Sequence, residues 1–313
     1  MNTLLFPGQG SQVVGMCAEF YKKFEVVKKI FNRADNKLGY SISKIILEGP
    51  GDQLQLTKNT QPAILTASYA IFKILTEEYK FNLSTFRYFA GHSLGEYSAL
   101  VCANSLNFED AIYLLHERGK AMQEAVPVGN GSMIAILGTK VDVINDLIVS
   151  MNLQTGVCEI ANDNAEGQVI ISGDKQSVDS FQKILTEKKL RFIPLKVSAP
   201  FHCSLMKSAA NNMSEKILNI DFKKPLFQIV SNVTAKPEND PKKIKELLIN
   251  QIFSTVRWRE SILNLSSMGV LNYIEIGPGK VLSGMVKRTI KNAKIYSINT
   301  IDDIEKLKNE FKE

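Results

Sequence analysis

The pentapeptide Gly91-His92-Ser93-Leu94-Gly95 follows Phe86 to Ala90, which reads as a short buried strand, and precedes a helical stretch from Glu96 to Ala103. Strand, sharp turn and helix around G-x-S-x-G form a nucleophile elbow, which lifts a serine hydroxyl above a sheet edge. Gly91 and Gly95 spare the corner two side chains, and the free N–H groups at the helix start offer charge stabilisation to an oxyanion. A serine needs a base, and three histidines are available. His92 adjoins the serine on the turn and is expected to prop the elbow. His116 lies in an apparent helix, whereas His202 follows Ala199-Pro200-Phe201 in a loop, where functional side chains concentrate. The pattern favours His202 over His116 as the base. No Asp or Glu marks itself as a third member, and a backbone carbonyl or an amide would serve to orient the ring.

The elements that must hold these groups follow from periodicity. Thr3 to Phe6 is expected as a strand entering the turn Pro7-Gly8-Gln9-Gly10-Ser11-Gln12. Val13 occupies the third glycine position of a dinucleotide fingerprint, so nucleotide binding is rejected. Helices are expected over Ala63 to Tyr79 and Phe108 to Glu124. From 128 to 197 the order is β-α-β-β-α-β: strands Met133 to Leu137, Val157 to Ala161, Val169 to Ser172 and Phe192 to Val197, with helix faces at 141–148 and 178–185. That order is the ferredoxin-like signature. The expected architecture is α/β: an α/β-hydrolase-like large domain with a parallel sheet core (1–127 and 198–313) and an inserted ferredoxin-like small domain (128–197). The last third is expected to hold helices and one strand, Tyr273 to Ile276, with a surface helix from Asp302.

The 313 residues are 44% hydrophobic and 22% charged, ordinary for a globular chain with a sizeable core. The start lacks a basic n-region and no apolar run reaches the ~18 residues of a membrane span, so neither a secretory signal nor a membrane partner is expected. A cytoplasmic location follows. Cys17, Cys102, Cys158 and Cys203 are scattered, which suits free buried thiols and gives no metal site. The net charge of +6 is dispersed among acids, which excludes a nucleic-acid module while leaving a surface able to steer an acidic protein.

Several segments taken together resemble the malonyl-CoA:acyl carrier protein transacylase family. They are Phe6-Pro7-Gly8-Gln9-Gly10-Ser11-Gln12, Asn59-Thr60-Gln61-Pro62-Ala63, Gly91 to Ala99, Arg118-Gly119-Lys120-Ala121-Met122-Gln123, Gly167-Gln168-Val169, Pro200-Phe201-His202 and Gly277-Pro278-Gly279-Lys280. The resemblance runs nearly end to end, in order and spacing. It implies Ser93 as nucleophile, His202 as base, and Gln251 as the residue whose main-chain carbonyl orients the histidine. An Asn-Pro pair common in the family beside that glutamine is Ser254-Thr255 here. Gln9 and the Leu94 amide would border the oxyanion, and Gln61, Asn162 and Phe201 would lie near the pocket. Arg118 would grip the free malonyl carboxylate, favouring malonyl over acetyl donors. Phe201 would disfavour a 2-methyl branch, a weaker effect of about 1–3 kcal/mol. The implied substrates are malonyl-CoA and acyl carrier protein, with no cofactor beyond the coenzyme A thioester itself. Rival readings are a freestanding acyltransferase loading a polyketide synthase, an acyl-thioester serine hydrolase, and a non-enzymatic carrier-binding protein.

Overall fold

Two sheets organise the chain in the computed structural model, which describes residues 1–195, 197 and 199–311. The strands are β1 Asn2–Phe6, β2 Phe86–Gly91, β3 Gly131–Leu137, β4 Cys158–Ala165, β5 Gln168–Asp174, β6 Arg191–Pro194, β7 Gln228–Val230, β8 Pro237–Glu238, β9 Asn272–Ile276 and β10 Lys294–Ile298. The large sheet has the order β10-β9-β1-β2-β7-β8. Its pairs are parallel from β10 through β7, and only β8 at the edge runs antiparallel. Both faces are covered by helices, which is why β1 is apolar at three successive positions, Leu4, Leu5 and Phe6, all fully buried. The helix Thr57–Lys73 packs under this sheet and is buried nearly all round.

The second sheet has the order β4-β5-β3-β6, antiparallel throughout, with helices Val141–Ser150 and Lys175–Glu187 in the crossovers. This is the expected ferredoxin-like arrangement. Its own core comprises Ile134, Ile136, Val169, Ile171, Val178, Phe181 and Leu185. The closing strand is shorter than the expected Phe192 to Val197, ending at Pro194. Lys196 and the expected point of return, Ser198, lie outside the described residues.

The last third departs from expectation. Beside β9 it contributes β7, β8 and β10, where the sequence showed a single strand. β7 and β8 have three and two residues, too short for any period, and β10 is a half-exposed edge strand carrying Lys294 and Ser297. The terminal helix Ile301–Glu310 opens on a capping box from Thr300 and Asp303 and turns Ile304 and Leu307 into the core. All four cysteines are buried and free.

Phe181 is fully buried at the centre of the small core. Phe181→Ala is expected to lower stability by about 3–5 kcal/mol, measured by urea unfolding of the purified chain.

Candidate active site

The strands β1, β2 and β7 are adjacent and parallel, so their carboxyl ends open on one edge of the sheet. Three loops leave there: Pro7-Gly8-Gln9 after β1, His92-Ser93 after β2, and Ser231-Asn232 after β7. Ligand sites of open α/β sheets form at such an edge. Ser93 holds φ 53° and ψ −110°, a region L-residues rarely adopt, directly before the helix Leu94–Cys102. The corner is tight enough that a Cβ on Gly91 would lie 1.9 Å from the Gly95 carbonyl, and one on Gly95 would lie 2.1 Å from the Phe6 oxygen. Asn232 locks the turn: its Oδ1 accepts from the Ser93 N–H at 2.7 Å and its Nδ2 donates to the Gly91 carbonyl at 2.8 Å.

His202 approaches from the loop beyond the small sheet, itself with a left-handed φ of 58°. Its Nδ1 lies 2.9 Å from the Gln251 carbonyl, an acceptor only, so Nδ1 carries the proton. Nε2 is then the lone-pair nitrogen, and it faces Ser93 Oγ at 2.8 Å. A serine hydroxyl set against a base oriented by a third group is the arrangement of an activated nucleophile. Burial drives the imidazole pKa down to about 3, with the Arg118 charge adding to the effect. The ring is therefore neutral, and able to accept a proton, across the physiological range.

Arg118 is 1% exposed, on the helix Phe108–Glu124. That helix lies so close to the start of Thr57–Lys73 that a Cβ on Gly119 would sit 2.6 Å from the Lys58 Cα. The contact brings Arg118 Nη1 to Gln61 Oε1 at 2.8 Å. Nη2 donates to Ser93 Oγ at 3.1 Å and Gln251 Oε1 at 2.9 Å, while Nε is buried without a partner. None of these partners is charged, and burial lowers the guanidinium pKa. An anion entering here would meet a desolvated, under-satisfied cation.

Gln9, Gln61, Leu94, Asn162, Phe201, Ser93, Arg118 and His202 all line one cavity of about 410 Å³ between the sheet edge and the small sheet. Ser93 N–H is already committed to Asn232, which leaves Leu94 N–H as the next backbone donor at the helix start, and Leu94 and Gln9 both line the cavity. Gln251 does not line this cavity but stands behind it, 1% exposed. The Ser254-Thr255 pair keeps its loop fixed: Thr255 Oγ1 donates to the Ile160 carbonyl at 2.5 Å, and Val256 bridges β4.

The other two histidines have structural partners. Pro62 has no N–H for the Lys58 carbonyl, and His116 Nδ1 supplies the missing donor at 3.0 Å. His92 Nε2 donates to Asn164 Oδ1 at 2.8 Å, propping the elbow. Sequence reasoning missed Asn232, which no spacing ties to the elbow. It quoted Glu96 without giving it a role, although that residue is the only charge in a nine-residue apolar helix. It also missed the Gln251 side chain, whose Nε2 reaches Ser93 O, Glu96 Oε2 and Asn232 Oδ1.

A parallel sheet with a serine at a strained strand-to-helix corner is the plan of an α/β acyl-transfer enzyme, and the chain matches the acyl transferase domain family over residues 3–311. It is 43% identical over 302 residues to the malonyl CoA-acyl carrier protein transacylase of Bacillus subtilis, covering 96% of this chain and 94% of that one. The chain belongs to the malonyl CoA-acyl carrier protein transacylases. The solved acyl-carrier-protein-S-malonyltransferase of Bartonella henselae is 40% identical, with a TM-score of 0.95 over 99% of this chain and 98% of that one. A malonyl-transacylase solved in complex with a type II polyketide synthase acyl-carrier protein is 38% identical, with a TM-score of 0.94 over 99% of each chain.

The depressed basicity of His202 has a direct readout. Its ring resonances are expected not to titrate between pH 8 and pH 5 in an NMR titration of the folded chain. A midpoint near the ordinary value of about 6.5 would contradict the buried, neutral ring.

Proposed function

We propose that this chain transfers a malonyl group from malonyl-CoA to the phosphopantetheine thiol of an acyl carrier protein, supplying fatty acid synthesis in the cytoplasm. Among the described residues no helix is long and apolar enough to cross a membrane. The observation that carries the reading is the position of Arg118, whose guanidinium donates to Ser93 Oγ itself while keeping a buried Nε unpaired. A carboxylate held there has its thioester carbon within reach of the serine.

The reaction has two halves. His202 Nε2 takes the Ser93 proton as Oγ attacks the malonyl thioester carbonyl. The tetrahedral oxyanion is received by Leu94 N–H and the Gln9 loop, the C–S bond breaks, and the coenzyme A thiolate leaves with the proton from His202. The carrier thiol then gives its proton to His202 and attacks the malonyl-serine ester, and Ser93 recovers its proton as the C–O bond breaks. Arg118 and Gln61 hold the carboxylate through both halves, Asn162 and Phe201 shape the wall, and the Gln251 carbonyl keeps the ring tautomer. Residues 1–127 and 198–313 carry this chemistry and 128–197 cover it. No cofactor takes part.

A hydrolase reading is less well supported, because a buried cation beside the nucleophile contributes nothing to a general thioester substrate. An acetyl donor would leave that cation buried without its anion, a penalty on the order of several kcal/mol.

With radiolabelled malonyl-CoA, label is expected on Ser93 before carrier is added, and Ser93→Ala is expected to lower transfer by about 10⁴-fold or more. Arg118→Ala is expected to cut malonyl kcat/KM by about 10²–10³-fold while acetyl transfer stays within about tenfold. Absence of a malonyl-serine, or equal losses for both donors, would overturn the reading.

A further inference from the structure

Glu96 lies in the first turn of the helix after the elbow, 2% exposed, and the reaction above gives it no part. Its Oε2 accepts from the Asn232 N–H at 3.0 Å and from Gln251 Nε2 at 2.8 Å. Burial pushes its carboxyl up to about 7, against the hydrogen bonds from Asn232 and Gln251 and the nearby Arg118 charge.

The Gln251 side chain stands between this acid and the guanidinium. A primary amide has one accepting end and one donating end. Oε1 faces Arg118 Nη2 at 2.9 Å, so the NH₂ faces the other way, toward Ser93 O at 3.1 Å, Glu96 Oε2 at 2.8 Å and Asn232 Oδ1 at 3.3 Å. The Glu96 oxygen is the nearest of the three acceptors, and in the ionised form of the acid its bond is charge-assisted, about twice as strong as a neutral one. A flipped amide would set donor against donor at Arg118 and oxygen against oxygen at Glu96. The acid thereby fixes which end of the amide the guanidinium sees. The interposed amide also keeps the acid off Arg118, whose own hydrogen-bond partners are all neutral. A direct ion pair would fill the place an incoming carboxylate needs. Gln251 does a second thing from the same residue, offering its carbonyl to His202 Nδ1.

We propose that Glu96 is a positioning residue for donor selection: acting through the Gln251 amide, it holds Arg118 open toward the malonyl carboxylate. The inference rests on the malonyl-transfer reading and deepens it.

The test compares kcat/KM for malonyl-CoA and acetyl-CoA in the full chain and three variants, with carrier protein as acceptor and folding checked by circular dichroism. Glu96→Ala removes the acceptor, and the malonyl-to-acetyl ratio is expected to fall at least tenfold, mainly through KM for malonyl-CoA. Glu96→Gln keeps an accepting oxygen and is expected to restore the ratio to within about threefold of the wild type. A merely structural role would depress both donors alike and leave the ratio unmoved. Should Glu96→Ala not fold, Glu96→Asp withdraws the carboxylate by one methylene, and the ratio is expected to drop at least threefold. An unchanged ratio in a folded Ala or Asp variant overturns the proposal. A wild-type chain that forms no malonyl-serine overturns the underlying reading instead, so the two failures are distinct.

Discussion

A guanidinium buried almost completely, with only neutral groups hydrogen-bonded to it, sets the terms for what surrounds it. Such a charge is expensive to desolvate, and every hydrogen bond it loses leaves more of that cost unmet. Arg118 is kept in place by amides and a hydroxyl: Gln61 from one helix, Gln251 from another, Ser93 from the elbow. Each supplies an acceptor without supplying a full negative charge. The cation is thus steadied at the cavity wall yet retains most of its attraction for a carboxylate. The proposed selectivity for an acidic acyl donor and the steadiness of the guanidinium rest on the same compromise.

That arrangement requires distant segments to meet with little tolerance. The site carries two positive-φ residues close in space, Ser93 on the elbow and His202 on the loop beyond the small sheet, each costing of order 1–3 kcal/mol of backbone strain. The surroundings over-determine both. Asn232 holds the elbow amide and the carbonyl before it, and Glu159 accepts from Ser204 N–H and Oγ just past the histidine. The small sheet takes part in this bracing. Its strand β4 supplies Glu159 and also bonds the segment Thr255–Val256 that follows Gln251. It is more than a cover over the cavity, because both loops that hold and orient His202 are fastened to it.

The elbow, the β-α-β-β-α-β order and the parallel core were legible because each is written in local spacing: a glycine two residues either side of a serine, apolar residues at intervals of two or of three to four. The preference for His202 over His116 also came from local context, a loop against a helix. What escaped was set by contacts across the chain. The short strands β7 and β8 have no period to read, yet β7 places Asn232 beside Ser93, 139 residues away. His116 gave no sign that it replaces the donor missing at Pro62, since that depends on two helices lying side by side. Glu96 stood inside a quoted motif, but its meaning lies in Gln251, 155 residues further on.

The sequence by itself pointed to the chemical kind of this protein: a serine at a glycine-flanked corner and a histidine free to serve it, while an arginine in a helix stood out only through the resemblance to a family. Composition and periodicity settled that these would stand on an α/β frame with a small inserted sheet. Only the tertiary structure decided which nitrogen of His202 is basic, which amide end faces Arg118, and which acid stands behind that amide. Those choices are made by acceptors that arrive from other strands and helices. A hydrogen bond's direction is fixed by both partners, and a linear order of residues names only one of them at a time.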